Sequence, residues 1–214
     1  MQDKIQFFSS ETQRFYQLFP TKTAPTLKIS GVPMHRHTHV DPLTDTTLKI
    51  KALRPYGLVL DTCTGLGYTS IYASKESRVT KVITVEKDEN VLKIAGMNEF
   101  SKELFSNPKI EIIQGDVFEK IKKFPANYFD SILHDPPTFI MATELYSLKF
   151  YTELYRVLKP KSRLWHYCPE PGKLSGKKPL RDKVKRNLEE VGFRKVVFDI
   201  PSFGIVAEKQ KKSF

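Results

Sequence analysis

The stretch Gly57-Leu58-Val59-Leu60-Asp61-Thr62-Cys63-Thr64-Gly65-Leu66-Gly67 decides the fold. It joins a short apolar run, of the kind found in buried strands, to a turn that contains two glycines. A helical pattern over residues 70–73 follows this turn. The order strand, glycine turn and helix is typical of the first unit of a doubly wound α/β sheet, in which ligands bind at the carboxyl ends of the strands.

Strand and helix patterns alternate along the rest of the chain. We expect further strands over 82–86, 110–113, 128–133, 163–167, 196–200 and 204–208, and helices over 89–103, 118–123, 144–158 and 180–191. This alternation predicts parallel βαβ units. The last two strands leave no room for a helix between them, which predicts an antiparallel hairpin at one edge. The predicted fold class is therefore α/β, a doubly wound, Rossmann-like sheet of seven strands with an antiparallel edge hairpin, over residues 51–214.

Residues 1–50 have a different pattern, with four prolines and histidines at 35, 37 and 39. We expect a short N-terminal helix followed by an extended arm, the apolar side of the helix being formed by Ile5, Phe8, Phe15, Leu18 and Phe19. One hypothesis is that the arm closes over the ligand cleft as a lid, with Met34, His35 and Asp41 near the substrate. The alternating histidines also suit a metal, but a metal site needs a rigid scaffold, so we predict none.

Composition restricts the partners and the compartment. The chain has 214 residues, with 35 Lys and Arg against 24 Asp and Glu, a net charge of +11 and a pI near 9.5. A basic surface favours an anionic partner such as nucleic acid, the alternative being a basic protein without such a partner. The segment 170–188 holds seven basic and two acidic residues beside the predicted cleft. With two cysteines, and neither a signal peptide nor an apolar run of membrane-spanning length, we expect a cytoplasmic protein.

Acidic residues follow three successive predicted strands. Asp61 is placed to hold the amino group of a ligand, directly or through water. Glu86 is placed to accept from both hydroxyls of a ribose, and Asp116 to accept from the amine of an adenine. A tight turn without a ligand remains the alternative for the glycines. A dinucleotide fingerprint would have Gly or Ala at position 70, where this chain has Ser70. The pattern favours a nucleoside with a cationic amino-acid tail and no phosphate.

The motifs D-T-C-T-G-L-G, V-I-T-V-E, Q-G-D-V and D-S-I-L-H-D-P-P occur in this order over residues 55–208. With them the chain resembles the class I S-adenosylmethionine-dependent methyltransferases. The runs G-L-G-Y-T, H-D-P-P and E-L-Y-R-V-L-K-P resemble an archaeal group of predicted methyltransferases described as spermidine-synthase-like. The resemblance implies S-adenosyl-L-methionine as cofactor, bound by Gly65, Gly67, Glu86 and Asp116. The full expected cofactor set is Asp61, Thr62, Gly65, Gly67, Tyr68, Thr69, Glu86, Lys87, Asp116 and Val117.

A second motif, His134-Asp135-Pro136-Pro137-Thr138-Phe139, follows the fourth strand of this sheet. The prolines fix the backbone, so the Asp135 carboxylate is held to bind an amino group and to stabilise positive charge. We predict that Asp135, His134 and Pro136 are catalytic, with a packing role as the alternative for His134. Methyltransferases acting on the amines of bases carry an aromatic residue where this chain has Thr138. The residues expected to contact the substrate are Met34, His35, Phe139, Tyr146, His166, Lys177, Lys178 and Arg181.

These features predict a methyltransferase that modifies a nitrogen of an RNA base, in tRNA or rRNA, without a membrane partner. One alternative is an aminopropyltransferase that uses decarboxylated S-adenosylmethionine, with Asp135, Glu144 and Asp41 around a polyamine. Others are methylation of a protein or small molecule, and a binding module that has lost its chemistry. The sequence leaves the oligomeric state open.

Overall fold

The computed structural model describes residues 4–168 and 180–210, and within these ranges the strands form two sheets. The smaller sheet is antiparallel, with four strands in chain order: Gln6–Ser9 (β1), Arg14–Phe19 (β2), Thr26–Ile29 (β3) and Val32–Pro33 (β4). The larger sheet has seven strands: Gly57–Asp61 (β5), Val79–Glu86 (β6), Ile110–Gln114 (β7), Phe129–His134 (β8), Leu158–Tyr167 (β9), Phe193–Asp199 (β10) and Gly204–Lys209 (β11).

Helices connect the strands of the larger sheet and join it to the smaller one. Their bounds are Pro42–Leu53 (α1), Tyr68–Lys75 (α2), Glu89–Gly96 (α3), Lys102–Ser106 (α4), Val117–Lys120 (α5), Leu148–Val157 (α6) and Leu180–Val191 (α7). The Asp41 side chain caps α1 by accepting from the Thr44 backbone N–H at 3.1 Å. The helix predicted over 89–103 is divided, because α3 ends at Gly96 and α4 begins at Lys102.

The larger sheet has the strand order β10-β11-β9-β8-β5-β6-β7. Strands β7, β6, β5, β8 and β9 run parallel, whereas β11 pairs antiparallel with both β9 and β10. This confirms the predicted doubly wound sheet and its antiparallel edge hairpin. The chain order reverses between β5 and β8, and that reversal creates a crevice at the carboxyl ends of these two strands.

The central strands are buried on both faces, which explains why they read as continuous apolar runs. In β6 the side chains of Val82, Ile83 and Val85 are all buried, although they alternate between the two faces. Helix α6 covers one face with Phe150 and Leu154, both without exposed surface. Burial of the central strands on both sides fixes the strand ends that form the crevice.

The expectation of an N-terminal helix is wrong, because the segment forms the antiparallel strands β1 to β4. In β2 the side chains of Tyr16 and Leu18 point inward, while Phe15 and Phe19 on the other face are 38% and 36% exposed. This is the two-residue period of a half-buried strand. Helix α1 also crosses the predicted domain boundary at residues 50 and 51.

The small sheet packs beside the first glycine turn of the large sheet. Tyr16, Leu18 and Leu27 share a buried cluster with Leu66 in the glycine turn and with Tyr68, the first residue of α2. The Tyr16 hydroxyl donates to Asp88 Oδ2 at 2.5 Å, and the Tyr68 hydroxyl donates to the Pro25 carbonyl at 2.8 Å. The small sheet is thereby held against the carboxyl ends of β5 and β6.

In residues 4–168 and 180–210, we find no helix with the length and apolar character needed to cross a membrane.

Candidate active site

A cavity of about 690 Å³ lies at the carboxyl ends of β5, β6, β7 and β8. The glycine turn after β5 forms its floor, and Leu27, Ile29 and Met34 close it from the side of the small sheet. The volume is within the range of about 300–1,000 Å³ that is usual for small-molecule sites. The position is the one at which open α/β sheets bind their ligands.

The two glycines of the turn serve different purposes. Gly65 lines the cavity with φ of +54°, and a Cβ added there would meet no protein atom within 4 Å. Gly67 has φ of +78° and does not line the cavity, and its added Cβ would lie 2.6 Å from Leu104 Cδ2. Gly65 therefore leaves room for a ligand against the backbone, whereas Gly67 allows α4 to pack closely on the turn.

Glu86 ends β6 and lines the cavity as a partly buried carboxylate. Its Oε2 accepts from the Gly65 backbone N–H at 2.9 Å, and its Oε1 accepts from the Asp88 backbone N–H at 3.0 Å. Burial raises the pKa of Glu86 to about 7, although these two hydrogen bonds act in the opposite direction. The carboxylate is thus fixed in position, with its remaining acceptor capacity available to a ligand.

Asp116 lies beyond β7 and caps α5, its Oδ1 accepting from the Phe118 backbone N–H at 2.8 Å. The Lys87 Nζ atom donates to Asp116 Oδ2 at 2.8 Å, and the hydrogen-bonded Asp116 carboxylate raises the pKa of Lys87. Both residues line the cavity, as does Val117. The pair joins the ends of β6 and β7 across the mouth of the cavity.

At the opposite end of the cavity, Asp135 and the two prolines after it separate the first cavity from a second one of about 360 Å³. The second cavity is formed by the segment before α1, the turn after β8 and the carboxyl end of β9. It is lined by Pro33, Met34, His35, Arg36, His37, Thr38, His39, Val40, Lys49, Asp135, Pro136, Pro137, Thr138, Tyr167 and Phe203. Asp135, Pro136, Pro137, Met34 and His35 line both cavities, so the two spaces meet there.

A buried chain of alternating charges holds Asp135. The Lys49 Nζ atom lies 2.6 Å from Asp135 Oδ2 and 2.8 Å from Asp45 Oδ2, and Arg36 Nη1 lies 3.1 Å from Asp45 Oδ1. Burial by itself lowers the pKa of Lys49, but the attraction of Asp135 and Asp45 outweighs it and leaves that pKa above its usual value. Burial raises the pKa of Asp135, and the Lys49 ammonium partly offsets this. Lys49 is therefore a permanent cation at the junction of the two cavities.

Residues 60–166, half of the chain, match a family model described as a methyltransferase domain. The chain is also 46% identical over 199 residues to an uncharacterized protein of Methanocaldococcus jannaschii, covering 92% of this chain and 68% of that protein. The chain belongs to the methyltransferase domain family.

Weaker similarities connect this methyltransferase to aminopropyltransferases. It is 27% identical over 116 residues to polyamine aminopropyltransferase 2 of Streptomyces coelicolor, a match that covers 51% of this chain and 21% of that protein. The crystal structure of spermidine synthase from Thermotoga maritima superposes with a TM-score of 0.73 at 20% identity, covering 98% of this chain and 74% of that one. A SAM-dependent methyltransferase structure from Archaeoglobus fulgidus gives a TM-score of 0.59 at 20% identity, with coverages of 78% and 93%. The two structures show a shared fold.

These findings confirm the resemblance to S-adenosylmethionine-dependent methyltransferases and the expected cofactor. The first cavity fits that group, because Gly65 leaves its floor free of side-chain atoms and Glu86 supplies a fixed carboxylate at its wall. Of the predicted cofactor residues, those that line the cavity are Thr62, Gly65, Tyr68, Thr69, Glu86, Lys87, Asp116 and Val117.

The expected direct contact of Asp61 with the ligand requires a correction, because Asp61 does not line the first cavity. Asp61 Oδ2 accepts from the Thr69 and Ser70 hydroxyls at 2.8 and 2.6 Å, and Asp61 Oδ1 accepts from the Cys63 backbone N–H at 3.4 Å. Burial raises the pKa of Asp61 to about 6. Its position indicates that it joins the end of β5 to the start of α2. The hydroxyl pair at 69 and 70 was the sequence signal for this arrangement.

His134 also requires a correction, because it is fully buried and lines neither cavity. Its Nδ1 lies 2.7 Å from the Thr62 hydroxyl and its Nε2 lies 3.0 Å from the Leu145 carbonyl. The pKa of His134 lies well below its usual value, mainly because the ring is buried and secondly because His166 is its neighbour. The ring is neutral and has both nitrogens engaged, which corresponds to the packing alternative. Asp135 and Pro136 line both cavities.

Three predicted substrate residues lie behind the cavities. His166 is fully buried and its Nε2 lies 2.7 Å from the Tyr151 hydroxyl, while the next residue, Tyr167, lines the second cavity. Successive strand side chains point to opposite faces, so a shift of one residue changes which of them lines the second cavity. Tyr146 is buried and donates to the Pro137 carbonyl at 2.9 Å, and the Phe139 ring packs on it. Neither Tyr146 nor Phe139 lines either of these two cavities, whereas Met34 and His35 line both.

Of the predicted basic contacts, Lys177 and Lys178 lie outside the described residues. Arg181 is the second residue of α7, with its guanidinium 4.9 Å from the centre of the Phe198 ring, and it lines neither cavity. Among the residues that the structure describes, no group of three or more His, Cys, Asp and Glu side chains is arranged to hold a metal. His35 instead packs beside Tyr68 and hydrogen-bonds with the Thr26 hydroxyl.

Sequence reasoning missed Lys49, Asp45, Arg36 and Phe203. Asp45 and Lys49 are four residues apart on α1, a spacing that usually indicates an ordinary surface ion pair. Phe203 comes from the edge hairpin, where the Arg36 guanidinium lies 4.0 Å from its ring centre. The partners come together only through the tertiary fold, so the local pattern carried no signal for the site.

Proposed function

We propose that this methyltransferase transfers a methyl group from S-adenosylmethionine to an uncharged nitrogen of an RNA base. The observation that carries the proposal is the charge of the second cavity. Its wall contains one carboxylate, that of Asp135, and two cations, Arg36 and Lys49, together with the imidazole rings of His35, His37 and His39. Asp45 pairs with both cations, so the wall offers no free negative charge and suits an acceptor with a neutral nucleophile.

The aromatic side chains of the second cavity support the same acceptor. Tyr167 and Phe203 both line it, and flat rings of this kind stack on the unpaired bases of RNA. Thr138 stands where the related base methyltransferases have their aromatic residue, so these two rings would take over its stacking role. The net charge of +11 favours a polyanionic partner.

The contribution of Asp135 to the reaction follows from its surroundings. An exocyclic amine of a base can donate one N–H to the Asp135 carboxylate, which orients the nitrogen lone pair away from Asp135. When bound, S-adenosylmethionine supplies an electrophilic methyl group. The nitrogen forms its bond to the methyl carbon as the carbon–sulfur bond breaks, and its N–H proton passes to the Asp135 carboxylate, so that no lasting positive charge remains beside Lys49. Lys49 and the rigid turn at Pro136 and Pro137 hold the carboxylate in place, so it needs no rearrangement during the reaction.

The test is incubation of the protein with methyl-labelled S-adenosylmethionine and separated RNA, protein and small-molecule fractions. We expect label in the RNA, and an N-methylated nucleoside after nuclease digestion and mass spectrometry. Asp135→Asn should lower the rate by about a hundredfold. Glu103→Gln, at an exposed carboxylate, is the control and should leave the rate unchanged. Label in the protein or small-molecule fraction instead would contradict the RNA acceptor.

A second candidate, aminopropyl transfer to a polyamine, is favoured by one observation. The similarity to spermidine synthase covers 98% of this chain and includes the small N-terminal sheet, whereas the similarity to the Archaeoglobus fulgidus methyltransferase covers 78%. Calorimetric titration with S-adenosylmethionine and with its decarboxylated form separates the two candidates. Methyl transfer predicts preference for the first ligand, and aminopropyl transfer predicts preference for the second.

A further inference from the structure

The ammonium group of Lys49 occupies a cation site that is formed by protein side chains beside the second cavity. It contacts two carboxylates, Asp135 Oδ2 at 2.6 Å and Asp45 Oδ2 at 2.8 Å. The ring centres of Trp165 and Tyr167 lie 5.5 and 5.7 Å from the Lys49 Nζ atom. Carboxylates together with aromatic faces are the groups that bind organic ammonium ions in proteins.

The occupant of this site belongs to the protein itself. The Lys49 side chain is 4% exposed, and the Asp45 side chain behind it is 1% exposed. Arg36 pairs with the other oxygen of Asp45 at 3.1 Å, so two cations balance the two carboxylates. The site therefore has no uncompensated negative charge to offer to a second ammonium group.

A cationic acceptor would meet direct repulsion at this position. An ammonium group hydrogen-bonded to Asp135 would lie within a few ångströms of the Lys49 Nζ atom, because that atom contacts the same carboxylate. At about 4 Å, and with the screening typical near protein surfaces, like charges repel strongly enough to weaken binding by about a hundredfold or more. An uncharged amine meets no such barrier.

We propose that Lys49 is the specificity-determining residue of the acceptor site, a built-in counter-ion of Asp135 that excludes protonated amines and admits neutral nitrogen nucleophiles. This inference rests on the proposed function in one respect, that the acceptor nitrogen lies beside Asp135. It defines the acceptor by its charge state.

The test measures binding of 1,4-diaminobutane by calorimetry to the full chain saturated with S-adenosylhomocysteine. We expect no detectable binding to the wild-type protein or to the charge-retaining control Lys49→Arg. Lys49→Met, which keeps the bulk of the side chain and removes its charge, should bind the diamine at least tenfold more tightly. Lys49→Met combined with Asp135→Asn should lose that gain.

Retained binding of S-adenosylhomocysteine shows that each variant is folded. If Lys49→Met alone does not fold, the double variant Lys49→Met with Asp45→Asn takes its place, because it removes one charge of each sign and leaves Asp135 free. Its affinity for the diamine is compared with that of Asp45→Asn. The inference is overturned if the wild-type protein binds the diamine as tightly as the Lys49 variant, or if a folded Lys49 variant gains no affinity. Failure of RNA labelling would instead contradict the proposed function, because no RNA takes part in the diamine titration.

Discussion

Lowering the pH should weaken cofactor binding through Glu86. The carboxylate of this residue lines the first cavity and is held by the backbone N–H groups of Gly65 and Asp88. Its predicted role is to accept hydrogen bonds from the ribose hydroxyls, which favours the ionised form because the protonated form donates from one of its oxygens. Burial raises the pKa of Glu86 to about 7, so this ionisation occurs within an accessible pH range.

The size of the effect follows from that pKa. Between pH 8 and pH 5.5 the ionised fraction of a carboxyl with a pKa of about 7 falls from about nine-tenths to about 3%. If only the ionised form binds the ribose, the affinity should fall by about thirtyfold, which is about 2 kcal/mol. The loss should begin near pH 7.5 and approach a tenfold decrease per pH unit below pH 6.

Calorimetric titration with S-adenosylhomocysteine at half-unit steps from pH 5.5 to pH 8 provides the measurement. Glu86→Gln should bind weakly at every pH and show a flat profile, whereas Glu103→Gln, at an exposed site, should follow the wild-type profile. A flat wild-type profile, or the same slope in Glu86→Gln, would refute the assignment of this pH dependence to Glu86.

The same group makes a separate prediction for the stability of the protein without ligand. The folded pKa of Glu86, about 7, lies above the ordinary value of 4.5, so the folded state binds the proton more tightly within this window. The contribution of Glu86 to stability is therefore present below pH 4.5 and is lost as the pH rises toward 7. We therefore expect the melting temperature of Glu86→Gln, relative to that of the wild type, to be higher at pH 8 than at pH 4.5. Thermal unfolding followed by circular dichroism at the two pH values tests the sign.

Two substitutions test the packing and the buried charges by urea denaturation. Gly67→Ala should lower the free energy of unfolding by about 2–4 kcal/mol, because φ is positive there and the new Cβ would lie 2.6 Å from Leu104 Cδ2. Gly96→Ala, where the added Cβ meets no atom, should change it by less than about 1 kcal/mol. Lys49→Met should cost about 3–5 kcal/mol because it leaves buried carboxylates uncompensated. Lys75→Met, at a half-exposed ion pair, should cost less than about 1 kcal/mol, and equal effects of the two lysine substitutions would contradict the burial argument.

The large sheet was predictable because its strands carry strong local signals. A parallel strand buried on both faces has a continuous apolar run, as in Val82–Val85, and each run ends where the chain must turn into a helix. The small sheet lacked such signals. Its strands are two to six residues long, and outward-facing aromatic residues such as Phe15 and Phe19 obscure the alternation that would have identified them.

Some residues of the candidate site could likewise be predicted from local sequence signals, and others could not. Glu86 and Asp116 follow directly from strand ends and glycine spacing, and the structure brings both to the cavity. Neighbours along one strand could not be told apart without the orientation of the strand, so His166 was predicted where Tyr167 lines the second cavity. Lys49 was invisible to sequence reasoning, because its contact with Asp135 spans 86 residues and depends on how α1 packs against the sheet.

The placement of these groups explains how one fold can serve two reactions. The small sheet, which the spermidine synthase fold shares, contributes Leu27 and Ile29 to the cofactor cavity, and both reactions need a cavity for an adenosyl sulfonium donor. That sheet therefore cannot determine which group is transferred or to what acceptor. In our proposal the second cavity determines the acceptor, because the charge beside Asp135 selects between a protonated polyamine and a neutral base. Since Lys49 already supplies that charge, the second cavity supports our proposal of methyl transfer to a neutral nitrogen.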